Sequence, residues 1–292
     1  MHNGEWSLIS FTLLSQLSVG LVLALGFIFF MHHAVFENLS GGFSFKAPEF
    51  IVLILILIAT LLSFLHLGSP QHAYHSLNNL KGSWISREIL MLSVFGFMVL
   101  LFMMSRMLNW QTVVIQGLLI GSMLIGLFLI LAMSGIYLIP TVPSWNHFNT
   151  PLSFLGSALI LGTVAMVLCL LYSSPDQLKP EMLKQLLLFI LVAISIVFVS
   201  ATLHFYQISR FEFTGIEQLM FKKGWFLTMF LIRSVMIVLI MMGLIYLMMN
   251  VSKAGVAPNK IKLMFITLFM LLLVEEVLGR YQFYASYFRI GV

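Results

Sequence analysis

The residues best suited to chemistry in this sequence lie in one polar stretch, residues 63–88, which reads SFLHLGSPQHAYHSLNNLKGSWISRE. This stretch separates two long apolar runs. His66 stands at the end of the first run, and Glu88 stands just inside the beginning of the second. If both runs cross a membrane, His66 and Glu88 reach the same membrane face. An imidazole and a carboxylate in that position can accept and relay protons.

The composition of the protein indicates a membrane protein. Of the 292 residues, 61% are hydrophobic and only 9% are charged, and the mean hydropathy is +1.06. A soluble domain carries about 25% charged residues, so lipid must surround much of this surface. The net charge of +5 comes from basic residues scattered along the loops, a pattern that does not indicate nucleic-acid binding.

Eight apolar runs are long enough to span a membrane, which takes roughly 20 residues each. Backbone amides in hydrocarbon must be satisfied within the segment, so all eight are predicted to be helices. No glycine-rich linker divides the sequence. The prediction is an all-α polytopic membrane protein, with one integral membrane domain over residues 1–292 folded as an eight-transmembrane-helix bundle. The predicted spans are Leu8–Met31, Phe50–Leu67, Ile85–Met107, Thr112–Leu138, Leu152–Tyr172, Leu183–Phe205, Trp225–Met249 and Ile261–Leu278.

An even number of spans places both termini on one side of the membrane, together with the second, fourth and sixth connections. We call this the even side and the opposite one the odd side. Each side carries seven Lys and Arg residues in the predicted connections and span ends. The bias of positive charge therefore does not orient the protein.

Polar groups within the predicted spans concentrate at the even ends. A charge at a helix centre costs about 2.5–3.5 kcal/mol on insertion scales, so such groups require an explanation. The odd half of the membrane is expected to hold almost nothing comparable. A site in this bundle is therefore predicted to lie in the even half. The polar residues of the even half are Gln16, His66, Glu88, His204, Arg233, Glu275, Glu276 and Arg280.

Simpler structural roles remain open for several of these residues. Glu276 and Arg280 are spaced i,i+4, a spacing at which they can neutralise each other. Arg233 can extend its side chain to the even interface. His66 can hydrogen-bond the last carbonyls of its helix, and His204 can be an ordinary interfacial histidine.

The chemistry that fits proton acceptors at a lipid–water boundary is the oxidation of a hydroquinone, which releases two electrons and two protons. A neutral imidazole at His66 is a suitable proton acceptor, and Glu88 can relay the proton outward. Arg233 or Arg280 can hold a quinone oxygen, and Trp145 can pack against the ring. The only cysteine is Cys169, so this protein cannot hold an iron–sulfur cluster. Electrons must pass to a docked partner.

Four motifs in sequence order support a family resemblance: HLGSPQHAYHSLNNL at 66–80, Glu88, TVPSWNHFNTP at 141–151 and EVLGRYQFYASY at 276–287. Together with Gln16 and Gly20 near the start, they resemble the membrane-anchor subunit of the dimethyl sulfoxide reductase family. The similarity runs essentially from end to end.

This resemblance implies a three-subunit complex in the bacterial inner membrane. It comprises a molybdopterin catalytic subunit, an iron–sulfur subunit and a haem-free, metal-free anchor that oxidises menaquinol in anaerobic respiration. His66 and Glu88 match the family's quinol-site residues, and the even side, with both termini, is implied to be periplasmic. Terminal reductase chemistry lies in another subunit. The candidate cofactor-binding residues are Gln16, His66, Ser69, Glu88, Trp145, Arg233 and Arg280.

One departure from the family pattern concerns the position after HLGSP. Family members often carry an arginine there, whereas this sequence has His72, followed by His75. Any contribution of that arginine to docking or tuning passes here to other residues, such as Lys81 or Arg87.

Three other functions are compatible with the sequence. A b-haem anchor would use His66 and His204 as axial ligands. A transporter would move solute through the bundle, but the sequence shows no internal repeat and no proline within a predicted span. A passive tether would hold its partners at the membrane without binding quinol.

Overall fold

The structure is a computed structural model that describes residues 3–39, 47–64, 78–209, 223–250 and 258–287. Within these ranges every regular element is a helix. A short 3₁₀ turn at Pro175–Gln177 connects two of them. The α-helices are α1 (Asn3–Met31), α2 (His33–Glu37), α3 (Pro48–Phe64), α4 (Trp84–Met107), α5 (Thr112–Gly135), α6 (Asn149–Ser173), α7 (Pro180–Ser209), α8 (Lys223–Asn250) and α9 (Pro258–Ala285).

The prediction of an all-helical, multi-pass membrane protein is confirmed, although the number of eight spans is not. Six of the described helices are long and apolar enough to cross a membrane: α1, α4, α5, α6, α7 and α8. Helix α3 is apolar but has only 17 residues, and the predicted end of this span, Leu67, lies outside the described residues. Helix α9 has 28 residues but carries Lys262, Glu275, Glu276 and Arg280.

Prolines mark the beginnings of helices in this protein. Pro48, Pro180 and Pro258 are each the first residue of a helix, and Pro151 lies in the first turn of α6. The first turn tolerates proline because its backbone N–H groups have no partner within the helix. Helix α4 begins differently, with the Ser83 hydroxyl accepting a hydrogen bond from the Ser86 amide at 3.2 Å.

Helices α1 and α6 form the centre of the bundle. In their apolar spans, 78% and 72% of the residues are buried, against 22–33% in α4, α5, α7 and α8. A helix that is apolar on all sides is expected to be buried in this way. Gly20 and Gly162 allow the two backbones to touch, because a methyl group on Gly20 would overlap the Ala158 carbonyl and one on Gly162 would overlap Gly20. Small residues serve this purpose in membrane helix pairs.

Contacts between helix ends agree with the predicted alternation of sides. At the even ends the Trp145 ring stacks on Phe283 with centroids 5.5 Å apart. At the odd ends His32 Nε2 lies 2.8 Å from Gln185 Oε1, and the Lys262 ammonium lies 4.9 Å from the Tyr172 ring. Arg280 of α9 also contacts Gln16 of α1, Arg233 of α8 contacts Glu275 of α9, and His204 of α7 contacts the Ser144 carbonyl just before α6. The even ends of α1, α6, α7, α8 and α9 therefore lie together at one end of the bundle.

The expectation that the odd half holds almost no buried charge is wrong at one place. Glu49, in the first turn of α3, is 1% exposed, and Arg106, in the last turn of α4, lies 3.1 Å from its Oε1 and 3.3 Å from its Oε2. A carboxylate at a helix beginning and a cation at a helix end are both favoured by the helix dipole. Because the two helices are antiparallel neighbours, these ends meet.

Candidate functional site

Arg280 is the centre of a buried polar network at the even ends of three helices. The side chain belongs to α9 and is 3% exposed. Its Nη2 donates to Gln16 Oε1 of α1 at 3.0 Å and to Ser157 Oγ of α6 at 3.1 Å. The Ser157 hydroxyl also lies 2.6 Å from Glu276 Oε2. We call these four residues, Gln16, Ser157, Glu276 and Arg280, the Arg280 network.

The local folding explains why these residues meet. Gly20 lets α1 approach α6 closely, which brings Gln16, one turn earlier, against the same part of α6. The Arg280 guanidinium packs over the Phe154 ring, with 3.7 Å between its central carbon and the ring centroid, a cation–π contact. Sequence spacing alone suggested that Glu276 and Arg280 neutralise each other directly. Instead, the Ser157 hydroxyl bridges them, and no direct ion pair joins them.

Arg233, which is partly buried, forms a second ion pair beside this network, with the buried Glu275. From α8 its Nη2 lies 2.6 Å from Glu275 Oε1, and its Nη1 donates to Gln282 Oε1 at 3.0 Å. A methyl group on Gly279 would lie 2.6 Å from Arg233 Nη2, so the missing side chain makes room for the guanidinium. Arg233 therefore points to α9, and the alternative in which it extends to the interface is wrong.

A cavity of about 110 Å³ lies between α6, α7, α8 and α9. Most of its wall is apolar and includes several phenylalanines. Arg233, Arg280, Glu275 and Glu276 also line it. Two arginines and two carboxylates balance in formal charge, which reduces the cost of burying them in a low-dielectric interior. The polar and aromatic residues that matter most here are Phe205, Phe226, Phe230, Glu275, Glu276 and Arg280.

His204 lines the same cavity from the end of α7. Its Nε2 lies 3.0 Å from the Ser144 carbonyl oxygen, and its ring lies 4.4 Å from the His147 ring. His204 was predicted to be an interfacial histidine with a hydrogen-bond partner, and its Nε2 has such a partner. A haem would need an imidazole nitrogen of His204 as an axial ligand, and the Ser144 contact occupies one of them. The haem alternative therefore gains no support from this residue.

Glu88 lies on the other flank of the Arg280 network. Its side chain is partly buried in α4, within electrostatic range of Tyr137 and Tyr284. The two tyrosine hydroxyls are 3.1 Å apart, and both lie within electrostatic range of Arg280. Glu88 and Arg280 thus face the same tyrosine pair, although Glu88 does not line the cavity.

The remaining predicted site residues are only partly placed. His66 and Ser69, together with His72 and His75, lie outside the described residues, so the predicted proximity of His66 and Glu88 stays a prediction. Trp145 packs against α9, where its Nε1 donates to the Phe283 carbonyl at 2.8 Å. The contact of Trp145 with a quinone ring also stays a prediction.

Several residues of the site were not predicted. Ser157 bridges Glu276 and Arg280, and Tyr137 and Tyr284, whose hydroxyls contact each other, lie within electrostatic range of both Glu88 and Arg280. One signal for Ser157 was present, because Ser153 and Ser157 form an i,i+4 pair of hydroxyls on one face of an otherwise apolar helix. Such hydroxyls commonly face a neighbouring helix in membranes.

The fold and the site together define a multi-pass α-helical membrane protein whose interior carries charge mainly at one end of the bundle. Comparison with known proteins then shows its family. The family described as DMSO reductase anchor subunit (DmsC) matches residues 1–286. The protein therefore belongs to the family of dimethyl sulfoxide reductase anchor subunits.

Individual relatives are similar along most or part of this length. An anaerobic dimethyl sulfoxide reductase subunit of Haemophilus influenzae is 26% identical over 99% of this sequence and 96% of its own length. The subunit of the same name from Escherichia coli is 29% identical over 68% and 71% of the two sequences. The E. coli anaerobic dimethyl sulfoxide reductase subunit YnfH is 30% identical, and the match spans 57% of that relative. Family membership makes this protein a membrane anchor that associates with the other subunits of a reductase complex.

Proposed function

We propose that this protein binds and oxidises menaquinol and passes the electrons to an iron–sulfur subunit, which delivers them to a molybdopterin catalytic subunit in anaerobic respiration. The observation that supports this proposal is the buried polar interior at the even ends, where Glu88 and Arg280 each lie within electrostatic range of the same tyrosine pair, Tyr137 and Tyr284. Burying so much polar chemistry in a membrane bundle is costly. A reaction that produces protons in the membrane is a physical reason to retain it.

The oxidation of a quinol must dispose of two protons and two electrons. In this proposal His66 accepts the two protons in turn from the two quinol hydroxyls and Glu88 passes each one toward the even side, while the two electrons leave to the iron–sulfur subunit. Arg280 and Gln16 hold a quinone oxygen by hydrogen bonds, since each carries a buried donor that has no hydrogen-bond partner among the described residues. Ser69, Trp145 and Arg233 complete the candidate binding residues.

The partners of this reaction follow from what the anchor itself lacks. With one cysteine in 292 residues, it has no ligand set for an iron–sulfur cluster. The electrons therefore leave to a partner subunit docked over the even ends. In the proposed orientation the even side and both termini are periplasmic, in the bacterial inner membrane.

Replacement of Glu88 tests the proposal directly. In the assembled three-subunit complex, Glu88→Gln keeps the shape of the side chain but removes the proton relay. We expect menaquinol oxidation to fall about a hundredfold, the scale that general acid–base groups contribute, while the complex assembles normally. The matched control is Glu37→Gln, because Glu37 is exposed at the odd end, next to His33, and should leave turnover unchanged.

The outcome also separates the proposal from its main rival. A passive tether would oxidise quinol at the same rate with Glu88→Gln as with the native residue, and a rate within about twofold would overturn the proposed role, given the hundredfold scale of acid–base catalysis. The proposed orientation has its own test in proteoliposomes. If protons are released and consumed on the same side, turnover should separate little charge, and a large membrane potential would contradict the periplasmic placement.

A further inference from the structure

Buried polar atoms without a hydrogen-bond partner concentrate around the cavity between α6, α7, α8 and α9. In the described parts of the protein five such side-chain atoms are found: Ser15 Oγ, Gln16 Nε2, Asn149 Oδ1, His204 Nδ1 and Arg280 Nε. Three of them belong to residues that line this one cavity. Leaving a buried donor or acceptor unpaired costs about 1–3 kcal/mol. Their concentration therefore points to a polar occupant.

The hydrogen-bonding capacity of these atoms defines what that occupant must offer. His204 Nε2 faces a carbonyl oxygen, that of Ser144, at 3.0 Å, and a carbonyl can only accept. Nε2 must then carry the proton, which leaves Nδ1 of the neutral imidazole as an acceptor. Asn149 Oδ1 is likewise an acceptor, whereas Arg280 Nε is a donor. A matching ligand presents hydroxyl groups to His204 and Asn149 and an oxygen acceptor to Arg280.

The walls of the cavity favour a flat ring. Phe205 lies nearly parallel to Phe226, with centroids 5.7 Å apart and 8° between the planes. It also lies nearly parallel to Phe230, at 4.3 Å and 9°. Aromatic rings in such an arrangement offer a planar surface for stacking. The volume of about 110 Å³ is several times the roughly 10–15 Å³ that a single water needs.

We propose that this cavity is a second binding site for the quinol head group, in which a ring hydroxyl donates to His204 Nδ1 and a ring oxygen accepts from Arg280 Nε–H. The site is distinct from the one around Glu88, because Glu88 does not line the cavity, although Arg280 borders both sites. The identity of the ligand as a quinol rests on the proposed function, whereas the location rests on the cavity and its unpartnered atoms. Water alone in the cavity is the competing outcome.

Photochemical labelling of the intact complex tests the site without relying on turnover. The probe is a naphthohydroquinone that carries a photoactivatable diazirine, added to the purified three-subunit complex under reducing conditions. Mass spectrometry of the cross-linked peptides should place part of the label on residues 198–206 or 226–233. Ala201→Trp, which fills the cavity, and His204→Phe, which removes the acceptor, should each reduce this label at least tenfold. Thr202→Ala is the control, because Thr202 is exposed on the same helix.

The results distinguish this inference from the proposed function. No label on these segments in the native complex, or a label that survives both Ala201→Trp and His204→Phe, would mean that only water occupies the cavity and would overturn the second site. Assembly of each variant is checked by co-purification of the partner subunits, and two variants of different chemistry protect the test against one that fails to fold. Glu88→Gln should lower turnover about a hundredfold, the scale of acid–base catalysis, but keep this label. If the Glu88→Gln complex keeps both its turnover and the label, the result supports the second site and contradicts the proposed role of Glu88.

Discussion

Two buried charged regions of this bundle, one at each end, are built in different ways. At the odd end Arg106 contacts both carboxylate oxygens of Glu49 and donates from Nη2 to the Leu39 carbonyl at 2.6 Å. At the even end Arg280 reaches Glu276 only through Ser157, and its Nε has no partner among the described residues. A cavity adjoins the even region.

The difference indicates different roles for buried charge. In this charge-assisted pair Nη1 of Arg106 contacts both carboxylate oxygens and Nη2 donates to a backbone carbonyl, so both terminal nitrogens of the guanidinium have partners within the protein. The pair ties the beginning of α3 and the segment after α2 to the end of α4. In the Arg280 network, by contrast, Gln16 Nε2 and Arg280 Nε have no hydrogen-bond partner among the described residues. A bound ligand that accepts hydrogen bonds from these buried donors would remove the energetic cost of leaving them unpaired. We therefore propose a stabilising role for the odd pair and a binding role for the even network.

The largest effect is expected from breaking the odd pair. Arg106→Leu leaves the Glu49 carboxylate buried without its charge partner, which costs about 3–5 kcal/mol. Unfolding of the purified complex in mixed micelles of increasing denaturing detergent should show this loss, whereas menaquinol turnover per assembled complex should stay unchanged.

The double variant Glu49→Leu/Arg106→Leu provides the control for that result. Because replacing both members of a buried pair with apolar residues is often neutral, most of the lost stability should return. A double variant as unstable as Arg106→Leu would show that the pair does more than hold the helices together.

An intermediate effect is expected at the centre of the even network. Lysine keeps the charge of Arg280 but offers one compact group in place of the planar fork that reaches Gln16 and Ser157. Arg280→Lys should therefore lower menaquinol turnover about thirtyfold, equivalent to about 2 kcal/mol in the barrier, with little change in assembly. Steady-state assays of the complex measure this, with Arg106→Lys as the matched change at the odd end. Equal losses of turnover in Arg280→Lys and Arg106→Lys would contradict the proposed distinction between the two regions.

The smallest expected effect is the difference in stability loss between alanine substitutions of two buried serines. Ser157 contacts Glu276 and Arg280, whereas the hydroxyl of Ser105 bonds to the Phe102 carbonyl of its own helix, at 2.7 Å. Ser157→Ala should cost about 1.5 kcal/mol, as expected for a hydrogen bond to charged groups, and Ser105→Ala should cost less. Detergent unfolding of both variants, side by side, compares them. A larger loss for Ser105→Ala would contradict this ranking.

Much of the fold was predictable because membrane helices are encoded by local runs of apolar residues. Each of the eight predicted spans overlaps one of the described helices, and most ends agree within a few residues. The fourth span was predicted to run to Leu138 but the helix ends at Gly135, because the apolar pattern continues into the segment that contains Tyr137. Composition does not determine where the backbone turns there. The sequence does not decide whether α3 and α9 cross the membrane, because α3 is slightly shorter than the roughly 20 residues that a span needs and α9 carries several charged residues.

The site was predictable only in part. The concentration of polar residues at the even ends followed from counting, and Gln16, Arg233 and Arg280 were all predicted to take part. Their partners were not, because which face of a helix meets which neighbour depends on helix rotation and on close approaches such as that at Gly20. The buried ion pair of Glu49 was not predicted for the same reason, because its partner, Arg106, lies 57 residues later in the sequence.

The backbone contact between α1 and α6 has a consequence for how the protein is made. Synthesis begins at the N-terminus, so α1 enters the bilayer before the helix that covers most of it exists. The Arg280 network forms only after α9 has been synthesised, because α9 supplies the arginine that contacts Gln16. A product truncated before α9 would therefore leave the buried Gln16 side chain without this partner.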